Sequence, residues 1–330
     1  MKWSIVLLAI LLLVSDLHAA SYQYIRLGQL ADVQTTPTAG TAMMGGGKDL
    51  DEALRWLCEK ANGGDFLILR ARGDDDYNLY VNGLCKANSV ATLIVPSREA
   101  AQEPKVAEII RQAEAVFIAG GDQSLYVRFW QRTPVQDAIN ANVAAGKPIG
   151  GTSAGLAILG EFAYGAMGDK PDDADLASQD VLPNPFHPRI TLVRDFLKVP
   201  FLEGTITDSH FAKRDRMGRT LGFLARLMRD RWSQHPSEIA VDERSAVLVE
   251  KDGEASVVGP GLGAYFLRPS HAPELCEAGV ELSFKDVRAY HSPRGSRFSL
   301  KTWSGNGGES YQISVEKGLL RSTKPGNAVY

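Results

Sequence analysis

A serine set between glycines is the first feature of the sequence that could do chemistry. Gly151, Ser153 and Gly155 form the Gly-x-Ser-x-Gly pattern of a nucleophile elbow. In such an elbow the serine lies in strained backbone between a strand and a helix, and the glycines avoid collisions with neighbouring strands. The pattern alone is a weak signal, because glycine-rich turns also serve close packing or phosphate binding.

A serine becomes a nucleophile only beside a base, and that base needs an orienting acid. His210 is the histidine that directly follows an apolar strand, and Asp208 stands two residues before it. We therefore expect His210 to project into the same crevice as Ser153, with a surface or structural histidine as the alternative. His235 and His271 lie beside prolines in loops, and we expect no catalytic role for them.

Composition limits the function classes. The chain has 330 residues, 44% of them hydrophobic, which is enough for a sizeable core in one large or two modest domains. The net charge is −3 and the sequence has no basic stripe, so nucleic-acid binding is not expected. Cysteine and histidine spacings do not match a metal site, and we expect no metal or cofactor.

The N-terminus predicts export. A lysine at position 2 precedes the apolar run 5–14, and small residues follow near position 20. This layout is typical of a secretory signal peptide over residues 1–20, with an uncleaved anchor as the alternative. We expect a secreted or periplasmic protein with no membrane association after cleavage.

Export brings the cysteines into an oxidising compartment, where one pair could form a disulfide. Cys58 and Cys85 are the preferred pair because they lie closer together in sequence than either does to Cys276. The equally weighted alternative is that all three are small buried hydrophobic residues.

The elements that must position these side chains alternate between strands and helices. Continuous apolar runs predict strands of a parallel sheet covered on both faces, with functional groups at the carboxyl ends of the strands. Gly120, Gly121 and Ser153 are at such ends and should share one crevice. We predict strands at 22–27, 66–69, 91–95, 115–119, 148–149, 204–207 and 238–241, and helices at 49–61, 77–87, 99–113, 126–145 (interrupted near Pro134) and 213–229.

The remaining segments are predicted as loops and short antiparallel strands. We predict loops at the polar, glycine-rich stretch 34–47 and at the stretch 163–186. The second loop contains Asp172, Asp173 and Asp175, which we predict to form a solvated acidic face. Short antiparallel strands are predicted at 246–250, 255–258 and 264–267, weaker ones at 280–284 and 298–303, a loop at 304–310, and a last hairpin strand at 311–315.

Four stretches in order resemble the serine peptidase family that contains cyanophycinase and the aspartyl dipeptidase peptidase E. They are Phe-Ile-Ala-Gly-Gly-Asp-Gln at 117–123, Gly-Gly-Thr-Ser-Ala-Gly at 150–155, Asp-Ser-His-Phe-Ala-Lys-Arg-Asp-Arg-Met-Gly-Arg at 208–219 and Ile-Ala-Val-Asp-Glu at 239–243. We predict a signal peptide at 1–20, a catalytic domain at 21–300 and a C-terminal extension at 301–330.

The resemblance implies a fold and a set of catalytic groups. The fold is a flavodoxin-like three-layer α/β sandwich, related to class I glutamine amidotransferases, with a mostly parallel sheet and a C-terminal antiparallel region. Ser153 would be the nucleophile, His210 the general base and Glu243 its orienting acid, with the N–H groups of Gly121 and Ala154 binding the oxyanion. This order differs from the serine–acid–histidine order of lipase-type esterases, which would need a later histidine as base.

Within the family the chain is most similar to cyanophycinase, whose substrate is a poly-aspartate chain with arginine on each β-carboxyl. The implied activity is exopeptidase release of β-Asp-Arg dipeptides. The guanidinium group of an arginine can form two parallel hydrogen bonds with a carboxylate, so arginines can bind the aspartates of such a substrate and carboxylates its arginines. The implied substrate-binding residues are Gln123, Asp208, Ser209, Arg214, Arg216 and Arg219.

Ser209 departs from the family pattern, which usually has glutamine at this position. The alternatives are therefore a serine hydrolase of other aspartyl or isoaspartyl peptides, or a non-catalytic binding module of the same fold. Members of this family are often dimers, so the resemblance implies a possible homodimer.

Overall fold

The computed structural model describes residues 21–168 and 175–330. The expected signal peptide, Asp172 and Asp173 lie outside the described residues. The first half of the chain alternates strands and helices, as the apolar runs predict. Its elements are β1 (Gln23–Gly28), β2 (Gly40–Met44), α1 (Asp51–Ala61), β3 (Asp65–Arg70), α2 (Asp76–Leu84), β4 (Ser89–Ile94), α3 (Pro104–Gln112), β5 (Ala115–Ile118), α4 (Gln123–Trp130), α5 (Pro134–Ala144), β6 (Ile149–Thr152) and α6 (Ala154–Ala157).

The second half is richer in strands. Helix α8 is its one long helix among the described residues, and most of its strands are joined by short turns. Its elements are β7 (Phe162–Tyr164), α7 (Ser178–Val181), β8 (Leu192–Arg194), β9 (Thr205–Asp208), α8 (Met217–Arg229), β10 (Ser237–Val241), β11 (Ala246–Glu250), β12 (Glu254–Val258), β13 (Ala264–Arg268), β14 (Phe284–Ser292), β15 (Arg297–Ser299), β16 (Ser304–Asn306), β17 (Glu309–Glu316) and β18 (Leu319–Ser322).

These strands form two mixed sheets. The first sheet has the order β1-β4-β3-β5-β6-β2-β11-β12-β15-β16, and its five strands from β4 to β2 are parallel. The second sheet has the order β18-β17-β14-β13-β10-β9-β7-β8, in which β10, β9 and β7 are parallel and the other pairings antiparallel. The protein is thus mixed α/β, and its second sheet is largely antiparallel.

The buried side chains form three clusters that correspond to the layers. One face of the first sheet packs against α1 and α2. Its other face packs partly against α3 and α5 and partly against the second sheet, where Val247 and Phe298 share a cluster with Val241 and Phe266. The far face of the second sheet packs against α8, which buries Leu221 and Leu224. The two sheets are therefore joined by one continuous apolar core.

The predicted loop at 34–47 is wrong in its second part, because β2 lies there in the middle of the first sheet. The strand escapes recognition because it begins with the small residues Gly40, Thr41 and Ala42. A Cβ atom on Gly40 would lie 2.6 Å from the Trp56 ring, so α1 packs too closely over β2 for a larger residue. Pairing is parallel to β6 on one side, with Met44 opposite Thr152, and antiparallel to β11 on the other.

Several other boundaries differ from the predictions. The predicted loop 163–186 contains the end of β7 and all of α7, and β14 begins where the weak strand 280–284 was expected to end. The predicted loop 304–310 begins with β16 and ends inside β17. Strand β16 is exposed and β14 contains a register shift, so alternating burial gives little signal in these two strands.

Residues 301–330 contribute strands to both sheets, since β16 closes the edge of the first and β17 and β18 extend the second. The hydroxyl of Tyr330 accepts a hydrogen bond from the Met217 N–H at 2.8 Å and donates one to Asp215 at 2.8 Å. Its ring packs edge-on against Phe211. The C-terminal residues therefore brace the segment that leads into α8.

Cys58 on α1 and Cys85 after α2 form a disulfide, with their Cα atoms 5.5 Å apart, while Cys276 is a free, buried cysteine. The bond links two helices on the same face of the first sheet. Among residues 21–168 and 175–330, no helix is both long enough and apolar enough to span a membrane.

We expect the double variant Cys58→Ser, Cys85→Ser to be less stable than the wild type by about 3 kcal/mol, because the bond closes a loop with a sequence separation of 27 in the unfolded chain. The measurement is chemical unfolding with and without a reductant. Reductant should destabilise the wild type and leave the double variant unchanged. An equal effect on both proteins would contradict a structural role for the bond.

Candidate active site

The turn at Ser153 has the geometry of a nucleophile elbow. Strand β6 ends at Thr152, α6 begins at Ala154, and Ser153 between them has φ 52° and ψ −114°. A Cβ atom on Gly151 would lie 2.5 Å from the backbone of Gly155, and one on Gly155 would lie 2.1 Å from the carbonyl oxygen of Ile118. Glycine is required at both positions because the strands and the helix touch through their backbones.

Serine, histidine and glutamate form a hydrogen-bonded chain at this turn. Ser153 Oγ lies 2.7 Å from His210 Nε2, and His210 Nδ1 lies 2.7 Å from Glu243 Oε1. Ser153 follows β6 of the first sheet, whereas His210 and Glu243 follow β9 and β10 of the second. The carboxyl ends of strands from both sheets thus meet at one point.

The loop Gly45–Gly47 after β2 holds this arrangement in place. The Gly45 carbonyl accepts the His210 N–H at 2.8 Å, and the Gly46 carbonyl accepts the Arg244 N–H at 2.9 Å. A Cβ atom on Gly46 would lie 2.4 Å from His210 Nε2. Gly45–Gly47 belongs to the predicted loop 34–47, but its contact with His210 was not predicted, although three consecutive glycines before a helix are a signal for close backbone approach.

Electrostatics favours a neutral imidazole beside an ionised carboxylate. Burial lowers the pKa of His210, the hydrogen bond to Glu243 raises it, and the charges of Arg214 and Arg216 lower it, so that the pKa lies below its ordinary value. The hydrogen bond from His210 lowers the pKa of Glu243. The imidazole can therefore accept a proton at neutral pH.

A cavity of about 760 Å³ opens in front of Ser153 and His210. Six further residues singled out from the sequence line it, namely Gly121, Ala154, Gln123, Ser209, Arg214 and Arg216. Arg72, Arg128 and Phe129 also line it, and no sequence pattern had pointed to them.

Asp208 and Arg219 do not line this cavity. Both are buried, and Arg219 donates two hydrogen bonds to the Asp208 carboxylate, from Nε at 2.7 Å and from Nη2 at 2.5 Å. Arg216 Nη1 also reaches Asp208 at 3.2 Å and donates to the Ser209 carbonyl at 2.7 Å. Burial opposes the ionisation of Asp208, but Arg219 and Arg216 outweigh it and lower its pKa. These charges fix the backbone just before His210.

Asp175 is not part of a freely solvated acidic face, contrary to the prediction. Its carboxylate pairs with Arg214 at 3.1 Å, with Arg219 at 3.3 Å and with Arg216. Burial raises its pKa, yet Arg216 and Arg219 together hold it well below its usual range. Arg214, Arg216 and Arg219 lie 39, 41 and 44 residues from Asp175 in the sequence, so no local pattern signalled this pairing.

The described residues contain no group of three or more histidine, cysteine or acidic side chains arranged to hold a metal ion. Asp122 lines the cavity but is engaged as the N-cap of α4, where it accepts the Ser124 N–H at 2.8 Å.

The fold and the site together describe a mixed α/β protein in which serine, histidine and glutamate are hydrogen-bonded at the ends of parallel strands. The chain belongs to peptidase family S51, whose family model matches residues 70–253, more than half of the chain. The serine at the elbow is consistent with that family.

The chain is similar to several cyanophycinases. It is 27% identical to that of Geminocystis herdmanii over 226 residues, which cover 66% of this chain and 73% of the relative. It is 26% identical to that of Synechococcus elongatus over 269 residues, covering 76% and 75%. Among solved structures, a peptidase from an acI-B1 Actinobacterium matches with 17% identity and a TM-score of 0.47, covering 72% of this chain and 93% of the other.

We expect Gly46→Ala to slow labelling of Ser153 by a fluorophosphonate about 100-fold, because the new methyl group would displace the His210 ring. Gly146→Ala is the matched control, since Gly146 also has a positive φ, 76°, but has no atom within 4 Å of its Cβ position. It should lose stability without losing reactivity. Equal labelling of both variants would contradict the steric argument.

We expect the acid limb of the pH profile of kcat/KM to have its midpoint below about 6.5, the ordinary histidine pKa, because only neutral His210 accepts a proton. Arg214→Gln removes a positive charge that lowers this pKa, so its midpoint should move upward. Arg72→Gln, at the rim of the same cavity, is the control and should leave the midpoint in place. If the midpoint were the same in Arg214→Gln as in the wild type, the electrostatic explanation would be refuted.

Proposed function

We propose that this protein is a serine peptidase in which Ser153, His210 and Glu243 act as nucleophile, general base and orienting acid. The hydrogen-bonded chain at 2.7 Å and 2.7 Å is the observation that carries the proposal. An inactive binding module of the same fold would have no need for this alignment.

In the proposed reaction Ser153 Oγ attacks the peptide carbonyl carbon while its proton passes to His210 Nε2. The N–H groups of Gly121 and Ala154 stabilise the negative oxygen of the tetrahedral intermediate. His210 then gives its proton to the leaving amine as the C–N bond breaks and an acyl-enzyme remains. Water then gives a proton to His210 as it attacks the acyl carbon, the ester C–O bond breaks, and His210 returns the proton to Ser153 Oγ.

The charges of the cavity favour a substrate with carboxylate groups. Four guanidinium groups (Arg72, Arg128, Arg214 and Arg216) line it against two carboxylates. Asp122 caps a helix, and Asp175 is already paired with three arginines, so the cavity has a cationic excess. Guanidinium forks bind carboxylates in a bidentate manner.

We propose cyanophycin as the substrate, cleaved from an end into β-Asp-Arg dipeptides. The similarity to cyanophycinases and the cationic cavity both support it. The proposed substrate contacts are Gln123, Arg214 and Arg216. Asp208 and Arg219 do not contact the substrate in this proposal, but fix the backbone of Ser209 and His210.

Hydrolysis of other aspartyl or isoaspartyl peptides is the second candidate, and Ser209 favours it. Ser209 is buried, and its hydroxyl lies 3.4 Å from Arg216 Nη1. Its short side chain lacks the amide that glutamine would present, a loss of about 1 kcal/mol in binding for one hydrogen bond.

We further propose that residues 1–20 direct export and that the mature chain acts outside the cytoplasm, alone or as a homodimer. The Cys58–Cys85 bond supports an oxidising compartment. We propose the flavodoxin-like three-layer sandwich as the classification of the first sheet with its two helical faces.

The test is incubation of the purified protein with insoluble cyanophycin and with a panel of isoaspartyl dipeptides, followed by mass analysis of the products. We expect β-Asp-Arg from the wild type and none from Ser153→Ala. Ser209→Gln should raise kcat/KM on cyanophycin about fivefold, the effect of about 1 kcal/mol. Release from the dipeptides alone would support the second candidate, and no release from any substrate would refute a peptidase.

A further inference from the structure

A second cavity, of about 670 Å³, lies between the second sheet and the end of the first. Strands β13, β14 and β17 form its floor, and the segment Thr302–Gly305 forms a wall. Arg268 and Arg288 line it, and no aspartate or glutamate does.

The two arginines face each other directly. Arg268 on β13 is the cross-strand partner of Arg288 on β14. Like charges placed opposite each other on one pair of strands are destabilising. Neither arginine forms an ion pair within the described part of the chain. An unbalanced positive pair is thus maintained at a concave surface, where an anionic ligand would relieve the repulsion.

The side chain of Arg268 is held in place by an aromatic ring. Its guanidinium lies 4.0 Å from the centre of the Trp303 ring, and Trp303 packs edge-on against Phe298 at 5.3 Å. Its Nε is buried with no hydrogen-bond partner. Burial also lowers the pKa of Arg268. A guanidinium oriented by an aromatic ring and left with an unused donor is prepared to bind an acceptor.

This cavity is separate from the candidate active site. Strand β13 runs antiparallel to β10, so that Ala264 pairs with Val241, close to Glu243, and Leu267 pairs with Glu238. Arg268 lies one residue further from Glu243 along the strand. The cavity therefore lies at the opposite end of the second sheet from His210 and Glu243.

We propose that this cavity binds a carboxylate-bearing peptide, whose acidic side chains are held by Arg268 and Arg288. Its volume of about 670 Å³ exceeds what a single small anion needs and lies in the range of pockets for larger organic ligands. Gln312 and Ser310 on β17 add neutral hydrogen-bonding groups for a peptide backbone. The net charge of the chain, −3, argues against a nucleic acid. The site is independent of the reaction at Ser153.

The test uses the full mature chain carrying Ser153→Ala, so that no peptide is cleaved, and tetra-aspartate as the probe. Calorimetry measures affinity and stoichiometry, and quenching of Trp303 fluorescence, identified by its loss in Trp303→Phe, reports on this cavity alone. Arg268→Gln with Arg288→Gln should weaken the Trp303-reported binding at least tenfold. Arg297→Gln with Arg321→Gln removes the same charge outside the cavity and should leave it unchanged.

Inorganic phosphate and the conservative pair Arg268→Lys with Arg288→Lys complete the experiment. We expect the lysine pair, which keeps the charge and the fold, to bind tetra-aspartate with intermediate affinity, and phosphate to bind much more weakly than the peptide. Equal affinity in the glutamine pair and the control pair, absence of any Trp303 signal, or phosphate binding as tight as peptide binding would each overturn the proposal.

Discussion

The contact between α6 and the backbones of β5 and β6 is the constraint on which the rest of the site depends. No side chain fits at Gly151 or Gly155, and Ser153 is held in left-handed backbone at the apex. Such a conformation costs about 1–3 kcal/mol and persists only where the surroundings determine it. They do so here because Leu156 is fully buried and its carbonyl accepts the Thr207 hydroxyl of β9 at 2.8 Å. The elbow is therefore tied to the strand that carries His210.

Buried charge plays the corresponding role on the second sheet. Asp208 and Arg219 are nearly inaccessible, and removing one member of such a pair costs about 3–5 kcal/mol because the other charge is left unpaired. Burial raises the pKa of Glu238 well above its usual range, and the charge of Asp208 raises it further. The Thr220 hydroxyl donates a hydrogen bond to the Glu238 carboxyl group at 2.7 Å. The pKa values of these two neighbouring acids are therefore shifted in opposite directions, because only Asp208 is paired with arginines.

Local patterns in the sequence determine how much could be predicted. Continuous apolar runs located most parallel strands, and the glycines around Ser153 located the elbow, because each signal is contained within a few residues. Strand β2 could not be found, since Gly40 at its start is explained only by α1 packing over it. The pairing of Asp175 with three arginines, and the cavity around Arg268, depend on contacts between distant segments. Burial of Arg219 was likewise hidden, because an isolated arginine in a helix is ordinarily exposed.

The meeting of the two sheets at one point has a consequence for how the protein acquires reactivity. Ser153 comes from the first sheet and its hydrogen-bonding partners from the second, so neither sheet alone contains the arrangement. Contacts between segments so far apart form slowly and late in folding. In the proposed mechanism, a nascent or partly folded chain therefore carries an unactivated serine. Such a serine would not cleave unfolded segments of its own chain or of neighbouring chains until the two sheets have docked.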